Sequence, residues 1–421
     1  MNNFTTNTYE MKREILKFSK KISEELNNPT TKFVMDMQYG LAKSGSCLIS
    51  EISRSLDEDI KLGYTIERLC DNLSNLYQEE KEIIWNNYLE EVRKSIDKNN
   101  QIVLFDDSDI NKEYSKKLED LDHVIDASSQ NKRIVSGYHV CEAVVLTKNE
   151  KQPMSIYSKI YSCKSDNFIS KNAYTLESIK EAEKVCGESF IGIFDRGYDD
   201  NKIFKYMSDN KHKFVIRLDD ERTLLFKEKK RSVGEVSKTR KGKISYKALF
   251  NDNEEYELML SYTKATLPYN KKEYTLVIVY GLSEEKPMKL LTNIDIKSKE
   301  DVIKIVRLYL SRWRIEEHFR GKKQEYDFEN MRVRTLESMN NLNMMLTIHL
   351  GHLAILVDNI DKKLLTLKII YASKSLKDKV IVWLSQIAKG IKNMLTYAHK
   401  GIKEWQDIET RNQNIQICLK L

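Results

Sequence analysis

"FIGIFDRGYDDNKIFKYMSDNKHKFVIRL", residues 190–218, decides the fold class. "FIGIF" is a short apolar run that ends in Asp195, "NKIFKYMSDN" carries apolar residues at helical spacing, and "KFVIRL" is a second apolar run. Runs this short read as strands, and the 3.6-residue period between them as a helix, so the stretch predicts strand, helix, strand. Upstream, "QIVLF" ends in Asp106, and "GYHVCEAVVL" and "QPMSIYSKIYS" predict strands with turn chemistry at their ends. "TLESIKEAEKVC" predicts a helix with Thr175 as its N-cap. The pattern is a mixed α/β domain that opens with an antiparallel meander and then alternates helix and strand.

The flanks differ in period. Residues 1–98 read as helices, and basic residues on short helices suit either a DNA-binding region or a plain bundle. After the first part of the core, 99–218, the segment 219–293 reads as β-strands joined by charged loops ("TLLF", "ISYKALF", "YELMLSY", "YTLVIVYG"). Residues 294–355 return to helix as a second part of the core, and 356–421 form a helical, Lys-rich region that could serve oligomerisation. A chain of 421 residues with 41% hydrophobic residues can bury several cores. The net charge of +7 is too mild to imply a nucleic-acid partner by itself, so such a partner has to be argued from local patches. Six cysteines without a CxxC pair read as buried thiols in a reducing cytoplasm. No signal peptide or 18-residue apolar run is present, so a soluble cytoplasmic protein is expected.

The candidate chemistry centres on "YLSRWRIEEHFRGKK", residues 309–323. On one regular α-helix, at about 100° per residue, Tyr309, Arg312, Glu316 and Lys323 share a stripe roughly 60° wide, and Glu317 lies about 100° from Glu316. Leu308, Ile315, Phe319 and Tyr326 fall beside the stripe as its buried anchor. A helix laced by the Arg312–Glu316 i,i+4 pair explains the same pattern without chemistry. Asp106 and Asp195, each expected at the C-terminal end of a strand, occupy the place where open α/β sheets put their sites, although turn and cap roles are equally available to them. Asp199 and Asp200, just before a helix, fit caps better. Three carboxylates without His or Cys partners suit hard cations such as Mg²⁺, and two such ions suit phosphodiester displacement.

With these residues in place, the chain resembles the DDE-type insertion-sequence transposases of the IS-four family. The spacing Tyr309-x2-Arg312-x3-Glu316-x6-Lys323 matches that family's Tyr-Arg-Glu-Lys signature, "LFDDSDI" and "IFDRGYDD" resemble its two aspartate motifs, and "GLAKSGSCLISEISRSL" resembles its N-terminal region. The resemblance spans roughly residues 35 to 355. It implies an RNase H-like α/β core with a β-rich insertion, flanked by helical N- and C-terminal regions. It implies Asp106, Asp195 and Glu316 as catalytic metal ligands for two Mg²⁺ ions, with Mn²⁺ as an alternative; Asp107 remains open for the first aspartate. Tyr309, Arg312 and Lys323 are implied to hold DNA phosphates near the cleaved end. The implied reaction is cleavage of double-stranded DNA at terminal inverted repeats, then attack of the 3′-OH on target DNA, by a homodimer on paired ends at the nucleoid. In the family a tryptophan of the insertion holds a flipped base during a hairpin step; this insertion has none, and Tyr256, Tyr262 or Tyr269 are the candidates to substitute.

Other patterns are weaker. His349 and His352 in "HLGH" lack further zinc ligands nearby and read as packing residues. Trp313 reads as packing too. Residues 227–243, "KEKKRSVGEVSKTRKGK", form an expected basic loop whose Lys229, Lys230, Arg231, Arg240 and Lys241 suit DNA phosphates, or only solvent. Two rival functions remain: an aspartyl-nucleophile phosphohydrolase built on Asp107 and Asp109, and a transposase-derived DNA-binding protein without activity.

Overall fold

In a computed structural model that describes residues 2–126, 133–149, 151–187, 190–250, 254–282, 286–374, 383–399 and 401, the chain opens with five helices. These are α1 (Asn2–Ile22), α2 (Asn28–Ser44), α3 (Ile49–Leu56), α4 (Leu62–Asn75) and α5 (Gln78–Ser95). The meander follows as β1 (Ile102–Asn111), β2 (Asp122–Ile125), β3 (Ile134–Leu146) and β4 (Pro153–Tyr161). Alternation then gives α6 (Lys171–Cys186), β5 (Ile191–Phe194), α7 (Asn201–Asp209) and β6 (Lys213–Arg217). The β-rich segment contains β7 (Thr223–Phe226), β8 (Lys229–Ser232), α8 (Val233–Lys238), β9 (Ile244–Phe250), β10 (Glu254–Thr266), β11 (Glu273–Tyr280) and β12 (Met288–Thr292). Helices close the chain: α9 (Lys299–Leu310), α10 (Trp313–Arg320), α11 (Leu336–Asp358), α12 (Lys363–Ala372) and α13 (Trp383–Leu395).

β4 and β3 are antiparallel, as are β3 and β1, whereas β1, β5 and β6 run parallel. That order, three antiparallel strands followed by a parallel pair reached through α6 and α7, is the RNase H-like arrangement. The expected insertion is continuous with this sheet, because β12 pairs antiparallel with β6 and leads on through β11 and β10. α11 packs on β4 and also against α2, α4 and α5, and α13 packs on α1 and α2. The N- and C-terminal helices therefore form one layer on the core rather than separate lobes. Residues 400 and 402–421, including Trp405 and Cys418, lie outside the described residues. No described helix is long and apolar enough to cross a membrane.

Several expectations are corrected. The helix that follows β4 starts at Lys171, with Ser170 accepting from the Ala173 amide at 3.2 Å; Thr175 is buried inside it, its hydroxyl bonded to the Lys171 carbonyl. Asp106 is not at a strand end: β1 continues to Asn111 because its antiparallel partner β3 continues, whereas parallel pairing with β5 stops at Phe105↔Phe194. The "basic loop" is ordered as β8 and α8. Lys227 and Glu228 both have positive φ (51° and 62°), which closes β7–β8 as a two-residue hairpin. Such a turn normally advertises itself with Asn or Gly, and this one carries neither. Among the described cysteines, Cys163 is exposed, against the expectation of buried thiols.

Candidate active site

The site starts with register. Phe105 on β1 and Phe194 on β5 are paired in parallel, and their rings stack at 4.5 Å. The next residue of each strand therefore emerges at the same level, and those residues are Asp106 and Asp195. Pleating sends Asp106 and Asp107 to opposite faces. Asp106 meets Arg312, whose Nη1 donates to its Oδ2 at 2.9 Å. Asp107 instead lies by Cys141 and Tyr198 on the other face. The geometry thus groups Asp106, not Asp107, with the other candidate residues.

The segment 309–323 is not one regular α-helix. Ser311 ends α9, and bonds to the third preceding carbonyl (Arg312 to Tyr309 at 3.0 Å, Arg314 to Ser311 at 3.1 Å, Ile315 to Arg312 at 3.0 Å) tighten the chain before α10. Three-residue turns stack i on i+3, so Tyr309 and Arg312 share a side. Residues 321–325 then form a π-type turn, which changes the angular step again. A wheel drawn at one constant step fails at its end: Lys323 pairs with Glu329 at 3.1 Å and does not line the cleft that contains Glu316.

The two glutamates separate cleanly. Glu317 is buried and paired with Arg314 at 3.3 Å. Glu316 is half exposed (51%) and meets the other guanidinium nitrogen of Arg312. Tyr309 donates from its hydroxyl to Asp195 Oδ1 at 3.0 Å and is itself buried, so it orients a carboxylate instead of presenting itself to a phosphate. Leu308, Ile315, Phe319 and Tyr326 are buried, as the helical pattern requires.

Arg312 is thus the hub, interacting with Asp106, Asp195 and Glu316 together. Burial pushes the Asp106 carboxyl up to about 7; the Asp195 charge adds to this and Arg312 opposes it. Burial would also raise Asp195, but the Arg196 amide, Arg312 and the Tyr309 hydroxyl hold it below the usual range. Arg312, Tyr309 and Glu316 also line a cleft of about 280 Å³, together with Arg217, Tyr256, Lys286 and Trp313; neither Asp106 nor Asp195 is among its lining residues. A second cleft of about 270 Å³ shares Arg217 and Lys286 with it and mixes Arg196 and Lys289 with Asp219, Asp220 and Glu221, Asp220 being paired with both lysines. Residues 168–350 match the family model described as "Transposase DDE domain".

That DDE-domain match includes Asp195 and Glu316 and begins after Asp106. A search of curated proteins found no match. Among solved structures, the chain is similar to a piggyBac transposase synaptic complex with hairpin DNA (12% identity, 92% of this chain and 77% of that one, TM-score 0.46). It is also similar to the NurA nuclease of Sulfolobus solfataricus (10%, 59% and 86%, TM-score 0.25). A third is Ciona intestinalis endonuclease V in complex with a 23mer DNA containing an inosine (14%, 55% and 90%, TM-score 0.23). At these scores the likeness adds nothing to the topology read directly.

Sequence reasoning missed Arg217 and Lys286, which have no motif and reach the cleft only because β6 and β12 are neighbours. It also missed a buried network beneath the site. Lys322, fully buried in the π-type turn, donates to Glu142 Oε1 and Oε2 (2.9 and 2.8 Å), Ser158 (3.0 Å) and Asn343 (3.1 Å), and His318 Nε2 meets Glu142 at 2.9 Å. Glu142 is the cross-strand partner of Asp106, so this network ties α10 to the strand pair that carries the first aspartate. His349 and His352 are core residues: His349 bonds the Tyr326 hydroxyl at 2.9 Å, and His352 stacks on Phe18 at 4.2 Å. Trp313 lies under the Arg314 guanidinium at 4.1 Å and also lines the cleft.

Proposed function

We propose that this chain is a cut-and-paste DNA transposase of the IS-four type, which cleaves double-stranded DNA at terminal inverted repeats and transfers the 3′-OH into target DNA. The observation that carries the reading is the convergence of Asp106, Asp195 and Glu316 on Arg312, with the Tyr309-x2-Arg312-x3-Glu316 spacing, inside a segment that matches a transposase DDE domain. An all-oxygen donor set fits Mg²⁺ or Mn²⁺. When bound, such ions supply Lewis-acid stabilisation and an activated attacking oxygen. Asp106, Asp195 and Glu316 would hold them. Tyr309 keeps Asp195 oriented. Arg312 lies between the carboxylates, and an entering phosphate offers it a bidentate partner of the kind guanidinium groups prefer. Arg217 and Lys286 extend the positive lining along the cleft. Of the three candidate tyrosines, Tyr256 lines this cleft, where it and Trp313 offer aromatic faces to an unstacked base. The phosphohydrolase reading is less favoured, because Asp109 is engaged with His139 at 2.9 Å on the face away from Arg312.

The test is incubation of purified protein with Mg²⁺ and DNA that carries the flanking inverted repeats. Nicks at the repeat boundary are expected; intact DNA with both Mg²⁺ and Mn²⁺ overturns the proposal. Paired ends need at least two protomers, so sedimentation of the active complex is expected to show two or more chains. A fully active complex of one chain on one end would refute that arrangement.

The five basic residues proposed as DNA contacts do not share one environment: Arg231 is half-buried on β8 and Lys241 is exposed beyond α8. Lys229 and Lys230 are exposed on β8, the last strand of the sheet path. Arg240 instead packs over the Phe226 ring at 5.5 Å and donates to Thr263. Exposed lysines on an edge strand also serve simply to block edge-to-edge pairing. Lys229→Ala with Lys230→Ala is expected to flatten the log–log salt dependence of duplex binding by up to about 0.9 per lost phosphate contact. An unchanged slope with increased aggregation would assign them to edge protection. Arg240→Ala is expected to cost stability.

A further inference from the structure

A second cluster lies on the opposite face of the sheet, toward its outer edge. Asp122 on β2, His139 on β3 and Cys163 just beyond β4 each offer one ligand atom, and the three atoms lie within 4.8 Å of one another. Register brings them together: Asp122 is opposite Gly137, two residues before His139, and His139 is opposite Tyr161, two residues before Cys163. We propose that Asp122, His139 and Cys163 form a binding site for a divalent transition metal, best matched to Zn²⁺, distinct from the three-carboxylate site.

Three features of the cluster carry this assignment. His139 Nδ1 is 2.9 Å from Asp109 Oδ1, a contact that leaves Nε2 on the side of Asp122 and Cys163. A carboxylate behind the far ring nitrogen is the usual support of a metal-ligating histidine, fixing both tautomer and orientation. The carboxylate is equally fixed. Asp122 Oδ1 accepts from the His123 amide and Oδ2 from the Cys163 amide, both at 2.7 Å, and the carboxylate also accepts from the Cys163 thiol, a bond that thiolate ligation of a metal would replace. Finally, His139 Nε2 and Asp122 Oδ2 are 3.9 Å apart, beyond a hydrogen bond. Two ligands at Zn–N and Zn–O lengths around a tetrahedral ion lie about 3.4 Å apart, so a small contraction accommodates the metal. One sulfur, one nitrogen and one oxygen donor suit borderline Zn²⁺ better than Mg²⁺ or Ca²⁺, and exposed Cys163 leaves the fourth position to water. Bound metal would clamp β2 to the β3–β4 pair. The cluster also explains why the one exposed cysteine among those described sits where it does.

The experiment uses the full-length, untagged protein, stripped with chelator and kept reduced. Titration with Co²⁺ as the probe is expected to give a thiolate-to-cobalt charge-transfer band that saturates at one ion per chain, and added Zn²⁺ should bleach it. Zn²⁺ should also slow maleimide labelling of Cys163 at least tenfold. Cys163→Ser and His139→Asn are expected to lose the band and weaken Zn²⁺ binding by tenfold or more. Asp106→Asn should retain both, which separates this site from the one over Arg312. Because Cys163 is exposed, the serine variant should fold, and circular dichroism checks that. A parent protein without the band, or a Cys163→Ser variant with parental Zn²⁺ affinity and unprotected labelling in the parent, overturns the proposal.

Discussion

Glu316→Gln is expected to lower metal-dependent strand cleavage by about 10³-fold or more, the equivalent of several kcal/mol of lost charge stabilisation, while leaving the fold intact. The side chain is half exposed, so an isosteric amide removes the charge without opening a cavity. Among the described residues it pairs with Arg312, which keeps Asp106 when Glu316 is neutralised. Glu317→Gln gives the opposite split. That residue is buried and paired with Arg314, so its loss should cost about 1–3 kcal/mol of stability and spare most cleavage per folded molecule. The measurement pairs a cleavage assay with denaturant unfolding for both variants. Equal loss of cleavage in the two would sink the assignment of Glu316. The adjacent glutamates are thus divided by burial: one faces the cleft and the other holds the helix down.

The largest effect on stability is expected from Lys322→Met. The substitution removes an ammonium that is fully buried and bonded to both oxygens of Glu142, leaving that buried carboxylate with the Ser158 hydroxyl and His318 but without its cation. Breaking one partner of a buried pair costs about 3–5 kcal/mol, whereas removing both charges is often close to neutral. Lys322→Met with Glu142→Gln should therefore recover a large part of the loss. A single variant within about 1 kcal/mol of the parent in urea unfolding would refute the network's role. The same pair makes a pH prediction. Although burial alone would raise it, Lys322 and His318 hold the Glu142 carboxyl down at about 2, below its ordinary 4.5. A depressed carboxylate contributes stability that is complete above its unfolded value and is lost as pH falls toward the folded one. His318, lowered chiefly by burial, works in the same direction, since the unfolded state takes up its proton first. Stability is thus expected to fall as the pH drops below about 6.5 and on toward 2, and the Glu142→Gln, Lys322→Met pair should flatten the part that belongs to Glu142. Because Glu142 faces Asp106 across β1 and β3, and Lys322 follows α10, the network also fixes the separation of two proposed metal ligands.

The sequence by itself determined the order of elements, because periodicity is a local property. Apolar runs of four or five residues at 102–105 and 191–194 are too short for helices, and residues 2–95 repeat at helical spacing. Expected strand ends, helical spacing and the family resemblance together nominated Asp106, Asp195 and Glu316 as candidates, with Asp107 left open. What spacing could not supply was the break at Ser311 and the π-type turn at Gly321. The second lies against a distant segment: a Cβ on Gly321 would meet Leu384 of α13 at 2.1 Å. These local changes of step took Lys323 off the stripe and drove its neighbour Lys322 into the core. Only the tertiary structure puts Asp106 rather than Asp107 beside Arg312, because either satisfies the motif while sheet pleating sends them to opposite faces. Only pairing of β6 with β12 brought Arg217 and Lys286 into one cleft. The Asp122, His139 and Cys163 cluster was invisible for the same reason. Its members share no local repeat, and hydrogen bonding between strands, which acts across sequence distance, is what places their side chains together.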